Sequence, residues 1–159
     1  VGADGYHALA NKAESLAVDL GLPRWRIDHL LGRHGALIDE VLAPAADDPT
    51  LLEPVPGAGL YLMAEVRYAA THEAALHLDD ALTRRTRISI ETSHRGVDSA
   101  PAVARVLGAA LGWNDETREA EVAAYIARVE AERLSQEQTD DVNADARRLG
   151  APDSRRTVV

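Results

Sequence analysis

Apolar residues recur at helical spacing along most of the chain, and this pattern predicts an all-α fold, a compact bundle of six to seven helices. Helix-ending glycines and prolines divide the pattern into segments. The expected helices run from about Asp4 to Leu20, from Pro23 to Gly32, from Gly35 to Pro44, from Leu60 to Thr71, from Leu78 to Arg85, from Asp98 or Ser99 to Leu111 and from Asn114 to residue 134.

A proline- and glycine-rich segment, residues 45–59, interrupts the helical pattern. Its three prolines and two glycines argue against regular structure, so we expect an irregular internal linker at a boundary between substructures. Ile88-Ser89-Ile90 alternates like a strand, but no partner strand is evident, and we expect it to be irregular.

The helical period is lost beyond Ser135, where the chain becomes polar. Pairs of like charges follow, namely Asp140-Asp141, Arg147-Arg148 and Arg155-Arg156. We therefore expect residues 1–134 to form the helical domain and residues 135–159 to form a flexible tail.

Composition limits the classes of protein that this chain can represent. It has 159 residues, is 46% hydrophobic and lacks phenylalanine, which suits one domain with an aliphatic core. The net charge of −9 argues against nucleic-acid binding, which needs a basic face. The absence of cysteine excludes disulfides and thiolate metal sites. No apolar run approaches the length of about 18 residues that marks a membrane span.

Charged residues concentrate between Tyr61 and Gly96. Glu65 lies in the most apolar helical segment, and a buried carboxylate needs a cation. Arg84 and Arg85 are the candidates, and a bidentate pair with either would hold two helices in register. Alternatively, the arginines bind an anion such as a phosphate ester.

The helix that begins at Leu78 has its charges arranged to complement the helix dipole. Asp79 and Asp80 lie in its first turn, and Arg84 and Arg85 lie in its last turn. Asp80 and Arg84 are also four residues apart, the spacing of a helical ion pair.

The histidines of His72-Glu73-Ala74-Ala75-Leu76-His77 do not have zincin spacing. A zincin needs histidines at i and i+4, whereas these are at i and i+5, about 140° apart around a helix. The residues Glu73, His77 and Asp80 share a face if the helix is continuous. They then form either a charged ladder that ends at Arg84 or a metal site, and the pattern leaves open whether residues 71–77 are turn or helix.

Two further motifs lack the residues that their chemistry requires. Gly57-Ala58-Gly59 has no third glycine and follows no strand, so it fails as a dinucleotide-binding fingerprint. None of Ser89, Ser93 and Ser99 lies in a Gly-x-Ser-x-Gly elbow.

The stretch from Tyr61 to Gly96 resembles the C-terminal cap domain of the aerobic, FAD-dependent glycerol-3-phosphate dehydrogenases, most closely the actinobacterial branch. The resemblance rests on Glu65, Tyr68, His72-Glu73, Leu78-Asp79-Asp80 and Arg84-Arg85-Thr86-Arg87. It extends to Gly2–Tyr6, to His29–Gly35 with His34 where tyrosine is usual, and to Leu111-Gly112-Trp113, and so covers residues 1 to about 148.

The resemblance implies a longer parent enzyme that oxidises sn-glycerol 3-phosphate to dihydroxyacetone phosphate, with FAD as cofactor and a membrane quinone as electron acceptor. The first residue is Val1, and we expect the chain to be a piece of that parent, inactive alone. No catalytic, cofactor-binding or metal-binding residue is carried onto this chain. Its candidate structural or interface residues are Glu65, His72, Glu73, Asp79, Asp80, Arg84, Arg85 and Arg87.

The expected partners are the parent's own FAD domain and a second copy in a homodimer. We expect a cytoplasmic location, with the parent peripheral on the inner face of the cell membrane and any membrane contact made through the parent. Two alternatives are a free-standing helical interaction module and a helical metal-binding protein that uses Glu73, His77 and Asp80.

Overall fold

The structure, a computed structural model, describes residues 6–152, with side chains from His7 onward. Within that range nine α-helices and one small two-stranded sheet confirm the predicted all-α class. The helices are α1 Tyr6–Asn11, α2 Ala13–Leu20, α3 Arg24–His34, α4 Ile38–Leu42, α5 Met63–His72, α6 Ile88–Glu91, α7 Ala100–Leu111, α8 Asp115–Gln136 and α9 Asp141–Leu149. The predicted helix start at Asp4, the Gly2–Tyr6 resemblance up to Gly5, and Arg155-Arg156 lie outside the described residues.

The chain divides into two compact units, Val1–Glu53 and Pro54–Val159. The division falls inside the predicted linker, residues 45–59. That segment therefore marks a boundary between substructures, as the proline and glycine pattern indicates.

The first unit is built from α1 to α4. The first predicted helix is broken at Lys12, so it forms two helices rather than one. Gly21 ends α2 as predicted, with a left-handed φ of 63°. The predicted stop at Gly32 is wrong, because α3 continues to His34 and Gly35 takes the positive φ instead.

The prediction of an irregular linker is wrong for its last residues, which form a β-hairpin. Strand β1, Pro54–Val55, pairs antiparallel with β2, Ala58–Leu62. The prolines are tolerated because they lie at the first position of the short edge strand and in the turn. Since β2 extends to Leu62, α5 begins at Met63 rather than at Leu60.

The core of the second unit forms where α5 packs on α7. Apolar side chains from both helices and from the segment between them are fully buried, namely Val66, Ala69, Leu78, Leu82, Ile88, Val103, Ala104 and Leu107. Gly112 ends α7 with a φ of 73°, and the Trp113 ring folds back to lie against Gly108. This arrangement confirms the predicted helix end at Leu111.

The segment between α5 and α7 is less regular than the sequence predicts. Residues 73–77 form a turn, which answers the question that the pattern left open, and Asp80–Arg85 forms a π-helix. Ile88-Ser89-Ile90 is helical rather than irregular. His94, Arg95 and Gly96 follow with consecutive left-handed φ values of 55°, 54° and 73°.

Helix α8 begins as predicted, because the Asn114 side chain accepts a hydrogen bond from the Thr117 N–H at 2.7 Å. The predicted loss of helical structure beyond Ser135 is wrong for residues 141–149, which form α9 against α8. Asp140 caps α9 by accepting from the Asn143 N–H at 2.9 Å. The sequence did not predict α9 because this helix is polar and has one buried apolar residue, Ala144, so it shows little apolar periodicity.

Candidate functional site

A cavity of about 380 Å³ lies against α8 in the second unit. Paired charges and hydroxyl groups dominate its wall. The lining residues are Asp79, Thr83, Ser89, Ile90, Thr92, His94, Arg95, Tyr125, Arg128, Val129 and Glu132.

An alternating chain of charges crosses the wall of this cavity. The buried Asp79 carboxylate binds Arg84 Nη1 at 2.5 Å and Arg128 Nη1 at 2.6 Å. Arg128 also contacts Glu132 at 3.4 Å, and Glu132 pairs with Arg95. Each guanidinium of the cluster thus has a carboxylate partner, and the cluster ties α8 to the segments around Asp79 and Arg95.

The left-handed turn at His94–Gly96 is held in place by Tyr125. The Tyr125 hydroxyl donates a hydrogen bond to the Arg95 carbonyl at 2.6 Å. Burial raises the pKa of Tyr125 to about 12, so the phenol remains a donor at neutral pH. A Cβ on Gly96 would lie 2.7 Å from Ile88 Cγ2, which explains why only glycine fits there.

A second carboxylate of α8, Glu121, holds the turn before the π-helix. One of its oxygens contacts His77 Nδ1 at 2.8 Å, and the other accepts from the Leu78 N–H at 2.9 Å. The Asp80 side chain accepts from the His77 N–H at 3.1 Å and binds Arg84 Nη1 at 2.7 Å. The predicted Asp80–Arg84 pair is therefore confirmed.

The longer ladder predicted from Glu73 to Arg84 is wrong, because it requires a continuous helix. The turn at residues 73–77 interrupts the face on which Glu73, His77 and Asp80 would align. His77 pairs with Glu121, which is 44 positions away in the sequence.

Glu65 is buried, as its place in the most apolar helical segment predicts. It is 2% exposed and lies in the first turn of α5, where its carboxylate accepts from the Leu62 N–H at 2.8 Å. The helix dipole also stabilises a carboxylate at this position. Arg84 binds Asp79 and Asp80. A pair between Glu65 and Arg85 stays a prediction.

The remaining candidates lie at the surface of the same stretch. The His72 ring stacks on Tyr68 with 4.6 Å between ring centroids. Arg85 is exposed, Glu73 is half-buried, and Arg87 contacts Glu91 at 3.7 Å. None of these four lines the cavity.

Among residues 6–152, no group of three His, Cys, Asp or Glu side chains is arranged to hold a metal ion. That part of the chain also contains no helix of the length and apolarity needed to cross a membrane. Gly57-Ala58-Gly59 enters a strand rather than a helix, and it lies beside Glu91 and Asp98. Carboxylates there would repel a pyrophosphate, so these residues do not fit FAD.

The sequence did not identify five of the residues that organise this site. Arg128 and Glu132 have the i,i+4 spacing of a helical ion pair, which was a detectable signal. Arg95, Glu121 and Tyr125 act on partners at least 30 positions away, and a single sequence carries no signal for such pairs.

Residues 1–118 match a family model described as the C-terminal domain of alpha-glycerophosphate oxidase. The whole chain is 54% identical to glycerol-3-phosphate dehydrogenase 2 of Mycobacterium tuberculosis and to glycerol-3-phosphate dehydrogenase of Mycobacterium leprae. It is 42% identical over 84 residues, 52% of its length, to glycerol-3-phosphate dehydrogenase 1 of Mycobacterium tuberculosis, and covers 15% of that relative.

The chain spans 27% of the length of each of the two relatives that match it throughout. No solved structure matches it. The family model covers well over half of the chain. The relatives that match the whole chain are glycerol-3-phosphate dehydrogenases, the family that the Tyr61–Gly96 motifs resemble. This chain belongs to the family of the C-terminal domain of alpha-glycerophosphate oxidase.

Proposed function

We propose that the chain is the C-terminal domain of a glycerol-3-phosphate dehydrogenase and serves as a non-catalytic structural cap of that enzyme. The observation that carries this proposal is the 54% identity over all 159 residues to glycerol-3-phosphate dehydrogenases several times longer than this chain. The parent oxidises sn-glycerol 3-phosphate to dihydroxyacetone phosphate, with FAD bound by its other domain.

The site geometry supports a structural role. The carboxylates and guanidinium groups around the cavity neutralise one another and join three segments of the second unit. Tyr125 has a pKa of about 12 and cannot act as a base near neutral pH. The cluster thus supplies rigidity rather than a reactive group.

The partners and location follow from the same proposal. The cap packs on the parent's own FAD domain, and the parent assembles as a homodimer. The parent is cytoplasmic and peripheral on the inner face of the cell membrane. The chain's net charge of −9 is repelled by an anionic lipid surface, so the parent's other domain makes the membrane contact.

The direct experiment compares the chain alone, the rest of the parent alone, and their mixture. We expect the chain alone to show no flavin absorbance and no oxidation of sn-glycerol 3-phosphate with a dye acceptor. Mixing should give a complex and a changed rate of oxidation. Absence of association at high micromolar concentration would contradict the proposal.

A further inference from the structure

Strand β2 leaves one stretch of its backbone without a neighbour. Strand β1 has two residues and pairs only with the ends of β2, through Pro54 with Leu62 and Val55 with Ala58. Among the described residues, Gly59 and Leu60 form no backbone hydrogen bond outside this ladder. Both are exposed, and a Cβ on Gly59 would meet open space.

A groove of about 360 Å³ runs along this strand. Five consecutive residues, Gly57 to Tyr61, line one side of it. Alternate residues would line a groove on the face of a strand, whereas consecutive residues indicate that the backbone edge is exposed. The other lining residues are Glu91, Thr92, Ser93 and Asp98.

The charge of the groove is negative. Glu91 and Asp98 are its two charged lining residues, and neither lysine nor arginine lines it. The Tyr61 hydroxyl fixes Glu91 through a hydrogen bond of 2.5 Å, and Arg87 lies 3.7 Å from the other oxygen of that carboxylate. The Asp98 side chain is 72% exposed, and its Oδ2 lies 3.9 Å from His94 Nδ1.

We propose that this groove binds an extended polypeptide segment bearing arginine or lysine, which adds to β2 as a third strand. An unpaired strand edge is a template for such addition, in which main-chain hydrogen bonds supply affinity and side-chain pockets supply specificity. The carboxylates of Glu91 and Asp98 select basic side chains on the incoming strand. The exposed Leu60 offers the same segment an apolar contact.

Charge decides between this occupant and a second copy of the chain. Pairing of β2 with its own copy would bring two sets of Glu91 and Asp98 towards one another. The chain already carries a net charge of −9, so self-association through this edge is electrostatically unfavourable. A basic partner removes that penalty.

The test uses NMR titration of the isotope-labelled chain with an end-blocked hexapeptide in which arginine and valine alternate. We expect saturable shifts of the backbone amides of Gly57 to Tyr61 and of Thr92. The same peptide with glutamate in place of arginine should not bind. A peptide N-methylated at alternate residues should bind about tenfold more weakly, because it loses strand hydrogen bonds.

Variants of the chain separate a local contact from general charge attraction. Asp98→Arg should weaken binding of the arginine peptide about fivefold, and the isosteric Asp98→Asn should weaken it less. Glu119→Arg makes the same change in net charge on an exposed site of α8 outside the groove, and should leave binding nearly unchanged. Equal losses in Asp98→Arg and Glu119→Arg, equal binding of the N-methylated peptide, or shifts confined to other residues would overturn the proposal.

Discussion

Individual residues hold the least regular part of the chain in one conformation. His94 and Arg95 have positive φ values that cost a non-glycine residue about 1–2 kcal/mol each. The Tyr125 hydroxyl, the Arg95–Glu132 pair and the absence of a side chain at Gly96 together offset that cost. These contacts fix the backbone of the turn at His94–Gly96.

Gly96→Ala should destabilise the chain by about 2–4 kcal/mol, from its positive φ and from the clash with Ile88 together. Gly112→Ala is the matched control, because Gly112 has the same φ of 73° with nothing near its Cβ position. It should cost about 1 kcal/mol. Urea denaturation measures both values, and equal losses would show that the contact with Ile88 is not tight.

Tyr125 should make stability depend on pH in alkaline solution. Its folded pKa is about 12 against an ordinary value of 10, so the unfolded chain loses this proton first as the pH rises. The free energy of unfolding should therefore fall between pH 10 and pH 12, by up to about 1.4 kcal/mol per pH unit. Below pH 10 this contribution is fully present.

Tyr125→Phe should remove that part of the slope, because phenylalanine has no proton to lose. It should also destabilise the chain at neutral pH by about 1–2 kcal/mol, through loss of the hydrogen bond to the Arg95 carbonyl. Urea midpoints for both proteins at several pH values give the comparison. Parallel pH profiles would contradict a raised pKa for Tyr125.

At the scale of elements, polar side chains attach helix α8 to neighbouring segments of the second unit. Glu121 holds the turn before the π-helix, and Arg128 and Glu132 reach the segments around Asp79 and Arg95. Only Glu121, Tyr125 and Ser135 of its residues are buried. The Ile126 side chain on the same helix is 41% exposed.

Glu121→Ala should cost about 1–3 kcal/mol, because it leaves the buried Leu78 N–H without its acceptor. Hydrogen exchange should then accelerate at Leu78. Glu119→Ala on the exposed side of the same helix is the control and should change stability by less than about 0.5 kcal/mol. Unchanged exchange at Leu78 in Glu121→Ala would contradict the attachment.

The sequence predicts the bounds of a helix correctly where a capping residue or a helix-ending glycine stands at its end. Left-handed glycines, Gly21 and Gly112, end α2 and α7, and the capping side chain of Asn114 begins α8. These residue types can be recognised in the sequence without knowledge of the tertiary fold. Pro54 and Gly59 read as linker residues, although long-range pairing places them in a hairpin. Ser99 lies at the start of α7, but its hydroxyl donates to the Pro56 carbonyl instead of capping the helix.

The site was predictable only in part, because the sequence reveals pairs between near neighbours but not pairs formed by the tertiary fold. Asp80 and Arg84 pair within one helical turn, and their spacing shows this. The partners of Asp79 and His77 on α8 lie more than 40 positions away, so they depend on the tertiary fold. Glu65 lies in the first turn of α5 because β2 extends to Leu62, and the sequence predicted no strand there.

At the scale of the whole molecule, the chain combines two helical units with a charge cluster that neutralises itself. Its relatives are glycerol-3-phosphate dehydrogenases of which it covers 27%. These features support the structural cap proposed above.

The most direct test measures sn-glycerol 3-phosphate oxidation by the parent with and without this chain. The chain alone should be inactive and free of flavin. The parent lacking residues 1–159 should bind flavin, oxidise the substrate more slowly, and recover when the purified chain is added. Turnover by the chain alone, or a full rate in the truncated parent that the added chain does not change, would contradict the proposed cap.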